Sequence, residues 1–227
     1  MNIEFPEEWK TGLYEAILQR RDIRAFRPDP IPKAVLAKIL NAAHHAGSVG
    51  FMQPWNFILI EDRAIRQRIR DHVDAQRLEA AAKFDDDRKA KYLSYKLEGI
   101  LDSALNICVT CDPTRNGPVV LGRNTVRETD VYSTCCAIQN LWLAARVEGI
   151  GVGWVSILEP DCLRRELGIP KHVIPVGYLC VGYAVEFPEK PMLQTTGWLP
   201  RAELADLVFS DGWGRAVDEE IRGKLGN

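Results

Sequence analysis

A long apolar stretch from Asp130 to Glu148 constrains the fold more than any other part of this chain. Its apolar side chains recur at helical spacing and cover nearly the full circumference of a helix: Val131, Cys135, Ile138, Leu141, Trp142 and Ala145. A helix that is apolar on all sides has to be buried on all sides. We therefore predict a central helix, and packing against a second copy of the chain is one way to cover it.

Composition places the rest of the chain around this helix in an ordinary globular protein. The 227 residues are 46% hydrophobic and 26% charged, and no repeat or linker is visible, so we predict one domain over 1–227. A net charge of -2 gives no basic field for nucleic acid. No run is apolar enough to span a bilayer, and the acidic N-terminus is unlike a secretion signal, so a cytoplasmic location is expected.

Local patterns predict several further elements. Helical spacing of apolar residues indicates helices at 8–20 and 33–46, and apolar runs indicate strands at 55–61, 105–111 and 176–182. The charged stretch 63–100 is predicted to be helical, with a break at 85–87, and too polar for the core. It is therefore either a solvated arm or a lid. Cys108 and Cys111 have redox-motif spacing but fall within a strand, which favours inert buried thiols.

A cluster of charges follows the first helix. Arg20, Arg21 and Arg24 lie within five positions, together with Asp22. Arginine side chains so close together repel one another unless an anion lies between them, and their planar guanidinium groups bind phosphate well. Two interpretations of Asp22 stay open: it acts in chemistry beside a phosphorylated ligand, or it simply pairs with a neighbouring arginine at a solvated helix end.

A second candidate site lies at 47–57, where glycine and serine precede Gln53-Pro54-Trp55. Glycine lets a backbone approach a ligand closely, and Met52 and Trp55 add flat apolar surface. An ordinary helix-to-strand loop would have the same composition. Likewise Ser156, after the short apolar run Gly153–Val155, is either a site residue or the cap of a following helix.

Taken together, four segments resemble the flavin-dependent nitroreductase superfamily. They are RRDIRAF at 20–26, the Ser-x-x-x-x-Gln-Pro-Trp loop at 48–55, the central helix YSTCCAIQNLWLAARVEG and GVGWVS at 151–156. The resemblance extends from the first helix to 212–214. Gly47 departs from the pattern, because relatives commonly have proline there.

The resemblance implies an α+β fold, with a central mixed sheet flanked by helices, and an intertwined homodimer that binds FMN at its interface. Arg20, Arg21 and Arg24 would bind the phosphate and ribityl end of FMN. Ile23, which lies between them in sequence, would also contact FMN, and Arg201 from the tail would be a further phosphate ligand. Ser48, Gly50 and Gln53 would come from the opposite subunit. Leu97 would lie by the flavin ring edge, under a helical lid at 72–100.

With Asp at position 22 and Ser at position 156, the sequence resembles one branch of the superfamily, in which reduced FMN is the substrate. That branch implies an oxygen-dependent fragmentation to 5,6-dimethylbenzimidazole, the lower ligand of vitamin B12, with no metal and with a separate flavin reductase supplying reduced FMN. Asp22 would transfer protons at the ribityl chain, and Ser156 would hydrogen-bond the flavin edge. The alternatives are an NAD(P)H-dependent nitroreductase, a flavin reductase or a reductive dehalogenase, and a flavin carrier without catalysis.

Overall fold

The computed structural model describes residues 4–225, which form two compact units, one ending at Phe187 and one beginning at Pro188. In the first unit, the described residues form six α-helices, four strands and a 3-10 turn at Val49–Phe51. The helices are α1 (Glu7–Gln19), α2 (Lys33–His44), α3 (Arg63–Ala81), α4 (Asp86–Ser94), α5 (Thr129–Val147) and α6 (Pro160–Leu167). The strands are β1 (Trp55–Ile60), β2 (Leu105–Cys111), β3 (Ile150–Val155) and β4 (Ile174–Tyr183). The prediction of a single domain over 1–227 stays a prediction, and residues 1–3 and 226–227 lie outside the described residues.

The four strands form one sheet in the order β1-β2-β4-β3, and every neighbouring pair is antiparallel. The α+β class is confirmed, whereas the expected mixed sheet is corrected to an antiparallel one over the part of the chain that the structure describes. The reason lies in the connections, because the short helix α6 returns the chain from β3 to β4 in the opposite direction. Parallel pairing occurs at an isolated bridge between Asp22 and Val152.

Helices cover both faces of this sheet, which explains why all seven residues of β2 are buried. On one face, here called the α3 face, Cys108 and Tyr178 pack with Ile69 and Val73 of α3. On the other, the α5 face, the strands pack against α2 and α5. Burial raises the pKa of the Cys108 thiol to about 12. Cys111 is buried as well, so the prediction that these thiols are buried is confirmed, and their lack of reactivity stays a prediction.

The charged stretch 63–100 is partly core, so the prediction that it cannot be core is wrong. Ile69 and Val73 are at most 1% exposed, and Ile65 packs against the same cluster. One apolar residue on each turn of α3 is enough to bury that side of the helix, although the average composition of α3 is polar. The predicted break is confirmed, since Asp85 caps α4 by accepting from the Arg88 N–H at 2.9 Å.

The central helix α5 is buried on the sheet side but not all round within one chain. Ile138, Leu141 and Ala145 have no exposed surface, whereas Tyr132 is 57% and Val147 70% exposed. Its outer face is therefore left uncovered by the described residues. Among them, no helix has the length and apolar character needed to cross a membrane.

The second unit is small and carries two short helices, α7 (Met192–Thr195) and α8 (Glu219–Leu225). A 3-10 turn at Leu204–Asp206 lies between them, and Arg222 pairs with Asp206 at 3.2 Å. Its large apolar side chains are mostly at the surface, with Trp213 92% exposed.

Candidate functional site

The arginine cluster is held against β3 and α5 by main-chain contacts. The Ile23 N–H donates to the Val152 carbonyl at 3.0 Å, and Trp142 of α5 donates from Nε1 to the Arg21 carbonyl at 3.2 Å. Gly153 permits the close approach, because a Cβ at this position would lie 2.1 Å from the Ile23 carbonyl oxygen. The Ile23 side chain is buried in the core, so any ligand contact from this residue has to come from its main chain.

Asp22 makes the interactions that fix the polar centre of the cluster. Its two carboxylate oxygens accept from the two terminal nitrogens of Arg24, and Oδ1 also accepts from the Trp154 N–H at 2.8 Å. The Asp22 side chain keeps 42% of its surface exposed, against 17% for Arg24. The carboxylate is therefore oriented by two partners and still accessible to a ligand.

The other two arginines of the cluster are held against α1 and α5. The Arg20 guanidinium stacks over the Trp142 ring at 4.5 Å, and Arg21 donates to the Leu18 and Arg20 carbonyls, each at 2.7 Å. Arg146, one turn beyond Trp142 on α5, donates to Gln19 Oε1 at 2.7 Å. Sequence reasoning missed Arg146, although its helical spacing from Trp142 was a usable signal.

Ser156 follows directly after β3, two residues beyond the Trp154 N–H that binds Asp22. It is exposed and lines a cleft of about 140 Å³ together with Leu158, Leu163 and Tyr178. The cap interpretation of Ser156 is wrong, because α6 begins only at Pro160 and has no side-chain cap. The structure thus brings Asp22 and Ser156 to the same end of β3.

The segment after α4 passes over the back of the cluster. A Cβ on Gly99 would lie 2.5 Å from the Phe26 ring and 3.0 Å from the Arg24 carbonyl, so this glycine too allows a close approach. Leu97, two residues earlier, is half-buried. Its place beside a flavin ring and the lid function of 72–100 stay predictions.

The glycine–serine loop is rigidly folded. Ser48 Oγ accepts from the Gln53 N–H at 3.0 Å, and Ser133 Oγ of α5 accepts from the Val49 N–H at 3.0 Å. Gly50 has a φ of 51°, and Gln53 adopts a similar left-handed φ of 50°, which is strained for a residue with a side chain. Such strain persists only where the surroundings enforce it, and it is concentrated at functional sites.

Arg115 helps to hold the loop in this strained conformation, and the sequence analysis did not identify it. It donates to the Gln53 carbonyl at 2.8 Å and to the Trp55 carbonyl at 3.3 Å, and it also bonds the Asn56 side chain. Because Arg115 is some sixty residues away from the loop in sequence, no local pattern pointed to it.

Within one chain, the loop and the arginine cluster lie at different positions along α5. Ser133 holds the loop and Trp142 holds the cluster, nine residues apart, which is about 14 Å along a helix axis. The two segments are therefore anchored to α5 at separate points. The prediction that Ser48, Gly50 and Gln53 serve the site of an opposite subunit stays a prediction. Arg201 lies exposed in the second unit, and its role also stays a prediction.

Residues 4–225 contain no group of three or more His, Cys, Asp or Glu side chains that could hold a metal ion. The candidate site is therefore built from arginine, aspartate, serine and tryptophan.

Comparison with known proteins gives consistent matches over most of the chain. The nitroreductase family model matches residues 17–183. The 5,6-dimethylbenzimidazole synthase of Rhodospirillum rubrum is 40% identical over 197 residues, which cover 87% of this chain and 93% of that protein. A 5,6-dimethylbenzimidazole synthase of Rhodobacter capsulatus is 34% identical, over 86% of this chain and 95% of that protein.

Solved structures share the fold at lower identity. Iodotyrosine deiodinase bound to FMN and 3-iodo-L-tyrosine superposes with a TM-score of 0.67 at 19% identity, covering 84% of this chain and 95% of that one. A BluB-like flavoprotein from Clostridium difficile 630 superposes with a TM-score of 0.60 at 20% identity, covering 81% and 96%.

Proposed function

We propose, from the premise that this chain belongs to the nitroreductase family, that it fragments reduced FMN with oxygen to give 5,6-dimethylbenzimidazole. One observation carries the proposal: an accessible carboxylate, Asp22, lies inside an arginine cluster and is bonded to β3 two residues before Ser156. A cradle that only bound a phosphate would be weakened by that carboxylate. Relatives that make this compound, at 40% and 34% identity, support the same conclusion.

The residues present fit FMN. Arg20, Arg21 and Arg24 outnumber the single carboxylate among them, so the cluster keeps positive charge for a phosphate. Gly153 lets the cluster lie directly on β3, and the Trp142 and Trp154 rings, 6.4 Å apart between centroids, add apolar surface beside it. These features support binding of the phosphate and ribityl end of the flavin by the arginines.

Each side chain then has a defined task. The arginines bind and orient the phosphate end, and Asp22 takes and returns a proton at the ribityl carbon that enters the product. Ser156 donates a hydrogen bond at the flavin edge, and the segment 72–100 excludes water. When bound, reduced FMN supplies the electrons for oxygen and the carbon atoms of the product, so no metal is required.

The proposal includes two partners. A second copy of the chain supplies Ser48, Gly50 and Gln53, because within one chain their loop and the arginine cluster are held at points on α5 about 14 Å apart. A separate flavin reductase supplies reduced FMN, and Arg201 and Leu97 complete the contacts to phosphate and ring. The proposed location of the reaction is the cytoplasm.

Product analysis after one turnover tests this function. The protein is loaded with reduced FMN without oxygen, air is admitted, and the products are separated by chromatography. We expect dimethylbenzimidazole in an amount approaching the bound flavin. A product mixture that contains oxidised FMN and hydrogen peroxide but no dimethylbenzimidazole would contradict the proposal. Rapid anaerobic bleaching of bound FMN by NADPH would instead indicate the reductase alternative.

A further inference from the structure

A histidine outside the arginine cluster contacts the loop that carries Ser156. His72, on α3, accepts a hydrogen bond at Nε2 from the Glu159 main-chain N–H, at 3.2 Å. Glu159 ends the short loop 156–159, here called the Ser156 loop. A ring nitrogen that accepts a hydrogen bond carries no proton, so this bond requires an unprotonated Nε2.

This contact is one of the points at which the loop is held. The Glu159 carbonyl accepts from the Cys162 N–H at 3.1 Å, so its other main-chain group is tied into the start of α6. No side chain caps α6. The His72 bond therefore satisfies an N–H that the helix start leaves without a partner.

The support beneath His72 is rigid. Ile69 and Val73, on either side of it in α3, are at most 1% exposed, and Arg68 pairs with Glu166 of α6 at 2.6 Å. The Ser156 loop itself packs Ile157 and Leu158 against the same core. His72 thus connects the packed helix α3 to the Ser156 loop, in which Ser156 itself is exposed.

We infer that His72 is a positioning residue: its Nε2 accepts from the Glu159 N–H and thereby fixes where the Ser156 hydroxyl lies relative to Asp22. The inference rests on the proposed function of Ser156. It assigns His72 no contact with flavin or oxygen. Its effect should appear in the ratio of dimethylbenzimidazole to hydrogen peroxide. Flavin binding should stay unchanged, because the proposal assigns the phosphate end to Arg20, Arg21 and Arg24 and not to His72.

Single-turnover product analysis of three variants tests this role. His72→Leu removes the hydrogen-bond acceptor. We expect the yield of dimethylbenzimidazole per bound flavin to fall about 3- to 10-fold, which is the effect of losing one neutral hydrogen bond. The yield of hydrogen peroxide should rise. His72→Gln keeps an acceptor oxygen at a similar reach and should stay within about twofold of the parent on the same scale. His172→Leu, at an exposed histidine remote from this loop in sequence, is the matched control and should leave the yield unchanged.

A second pair of variants separates the hydrogen bond from charge. The Glu159 carboxylate lies 3.7 Å from His72 Nε2, so a charged pair is the competing explanation. Glu159→Gln keeps the N–H and should leave the product yield unchanged. Glu159→Pro removes the N–H at a φ of -85°, close to what proline adopts, and should lower the yield as His72→Leu does. It also tests the same bond if His72→Leu folds poorly.

Hydrogen exchange at the Glu159 amide provides a readout that is independent of the chemistry. Exchange should be faster in His72→Leu than in the parent and His72→Gln proteins. An unchanged product yield in His72→Leu, or an equal loss in His72→Gln, would overturn the inference. If the parent protein makes no dimethylbenzimidazole, the proposed function fails, and exchange at Glu159 still reports whether the contact exists.

Discussion

Asp22 is a proton-transfer group in one interpretation and a counter-ion of Arg24 in the other. The structure supplies the geometry for both, because the carboxylate bonds Arg24 and the Trp154 N–H and is still 42% exposed on its side chain. A counter-ion needs only charge. A proton-transfer group needs charge, orientation and access, and the bond to Trp154 provides an orientation that ion pairing alone does not require.

Asp22→Asn separates these interpretations. The amide keeps an oxygen for the Trp154 N–H and removes a negative charge near the phosphate, so binding of reduced FMN should hold or tighten. If Asp22 transfers protons, dimethylbenzimidazole per bound flavin should fall by about 10²–10⁴, whereas air oxidation of the flavin continues. The measurement is single-turnover chromatography with bound flavin quantified by absorbance.

Asp29→Asn is the matched control, because Asp29 also pairs with a nearby arginine, Arg27, at 3.7 Å and lies outside the cluster. It should leave product yield unchanged. An Asp22→Asn protein that makes as much dimethylbenzimidazole per bound flavin as the parent would leave the counter-ion role as the correct one.

Sequence reasoning found the residues of the cluster but not all of their partners. The close spacing of charges at 20–24 is a local pattern, so it was visible without a structure. That pattern alone did not decide whether Asp22 pairs with an arginine or takes part in chemistry. Arg146 and Arg115 act over long sequence separations, from Arg146 to Gln19 and from Arg115 to Gln53. Such contacts follow from the packing of elements, which a local pattern does not contain.

At the level of elements, Gly153 is the position where β3 and the arginine cluster meet. A methyl group there would lie 2.1 Å from the Ile23 carbonyl and 2.7 Å from Arg24 Nη1, so β3 or the cluster has to shift. Gly153→Ala should therefore lower the free energy of unfolding by about 1–3 kcal/mol, as overpacking does, and weaken FMN binding. Urea unfolding and flavin titration measure the two effects.

Gly47→Ala is the control for that substitution, because a Cβ at Gly47 has no atom within 4 Å and its φ is not left-handed. It should leave both stability and FMN affinity nearly unchanged. Equal behaviour of the two alanine variants would show that the cluster does not lie as close to β3 as described.

The contact between α3 and α6 carries a pH-dependent part of stability. Hydrogen bonds from Arg68 and then Arg165 lower the pKa of the Glu166 carboxyl. A carboxyl with a lowered pKa stabilises the fold above its ordinary pKa, and this contribution is lost as the pH falls through the folded-state value. Glu166→Gln should therefore destabilise the protein by up to about 1 kcal/mol at pH 7.

The destabilisation by Glu166→Gln should shrink as the pH falls below the ordinary glutamate pKa. The carboxyl is protonated first in the unfolded chain and then, at its lowered pKa, in the folded chain, after which both proteins carry a neutral group at this position. Urea unfolding across the acidic range measures it. Glu79→Gln, at an exposed position of α3, is the control and should show little difference at any pH. A difference that is independent of pH would assign the effect to packing and not to charge.

The elements themselves were largely predictable. The bounds of β2 agree with its apolar run, and those of α1 and α2 agree within two residues, because periodicity is a local property. Burial of α3 and the antiparallel order of the sheet were not predictable in this way. Both depend on which elements pack together, since average polarity hides the single apolar side of α3.

At the scale of the whole molecule, residues 4–225 of one chain leave a large apolar surface exposed. On α1, Trp9 and Tyr14 are each 62% exposed and Leu18 69%, and α1 contacts α5, whose outer face is also open. Large contiguous apolar surfaces of this kind mark protein interfaces. Stable interfaces bury about 1,200–2,000 Å² in total, and two long helices can supply that area.

We expect a stable homodimer formed through α1 and the outer face of α5. Tyr14→Glu should dissociate it, because a charge would be buried without a partner. Leu78→Glu is the matched control: Leu78 on α3 is 63% exposed, so the same change there should leave the dimer intact. Sedimentation at micromolar concentration gives the mass of each variant.

The flavin site connects this oligomeric state to function. If Ser48, Gly50 and Gln53 complete the site of the opposite subunit, the Tyr14→Glu monomer should lose FMN binding, although its own arginine cluster is intact. Sedimentation and flavin titration on the same samples should change together, with the Leu78→Glu protein retaining both dimer and flavin. A parent protein that sediments as a monomer would contradict the predicted dimer. A monomeric variant that binds FMN with the affinity of the parent would show that one chain holds the complete site. The distance of about 14 Å along α5 between the two half-sites favours loss of binding.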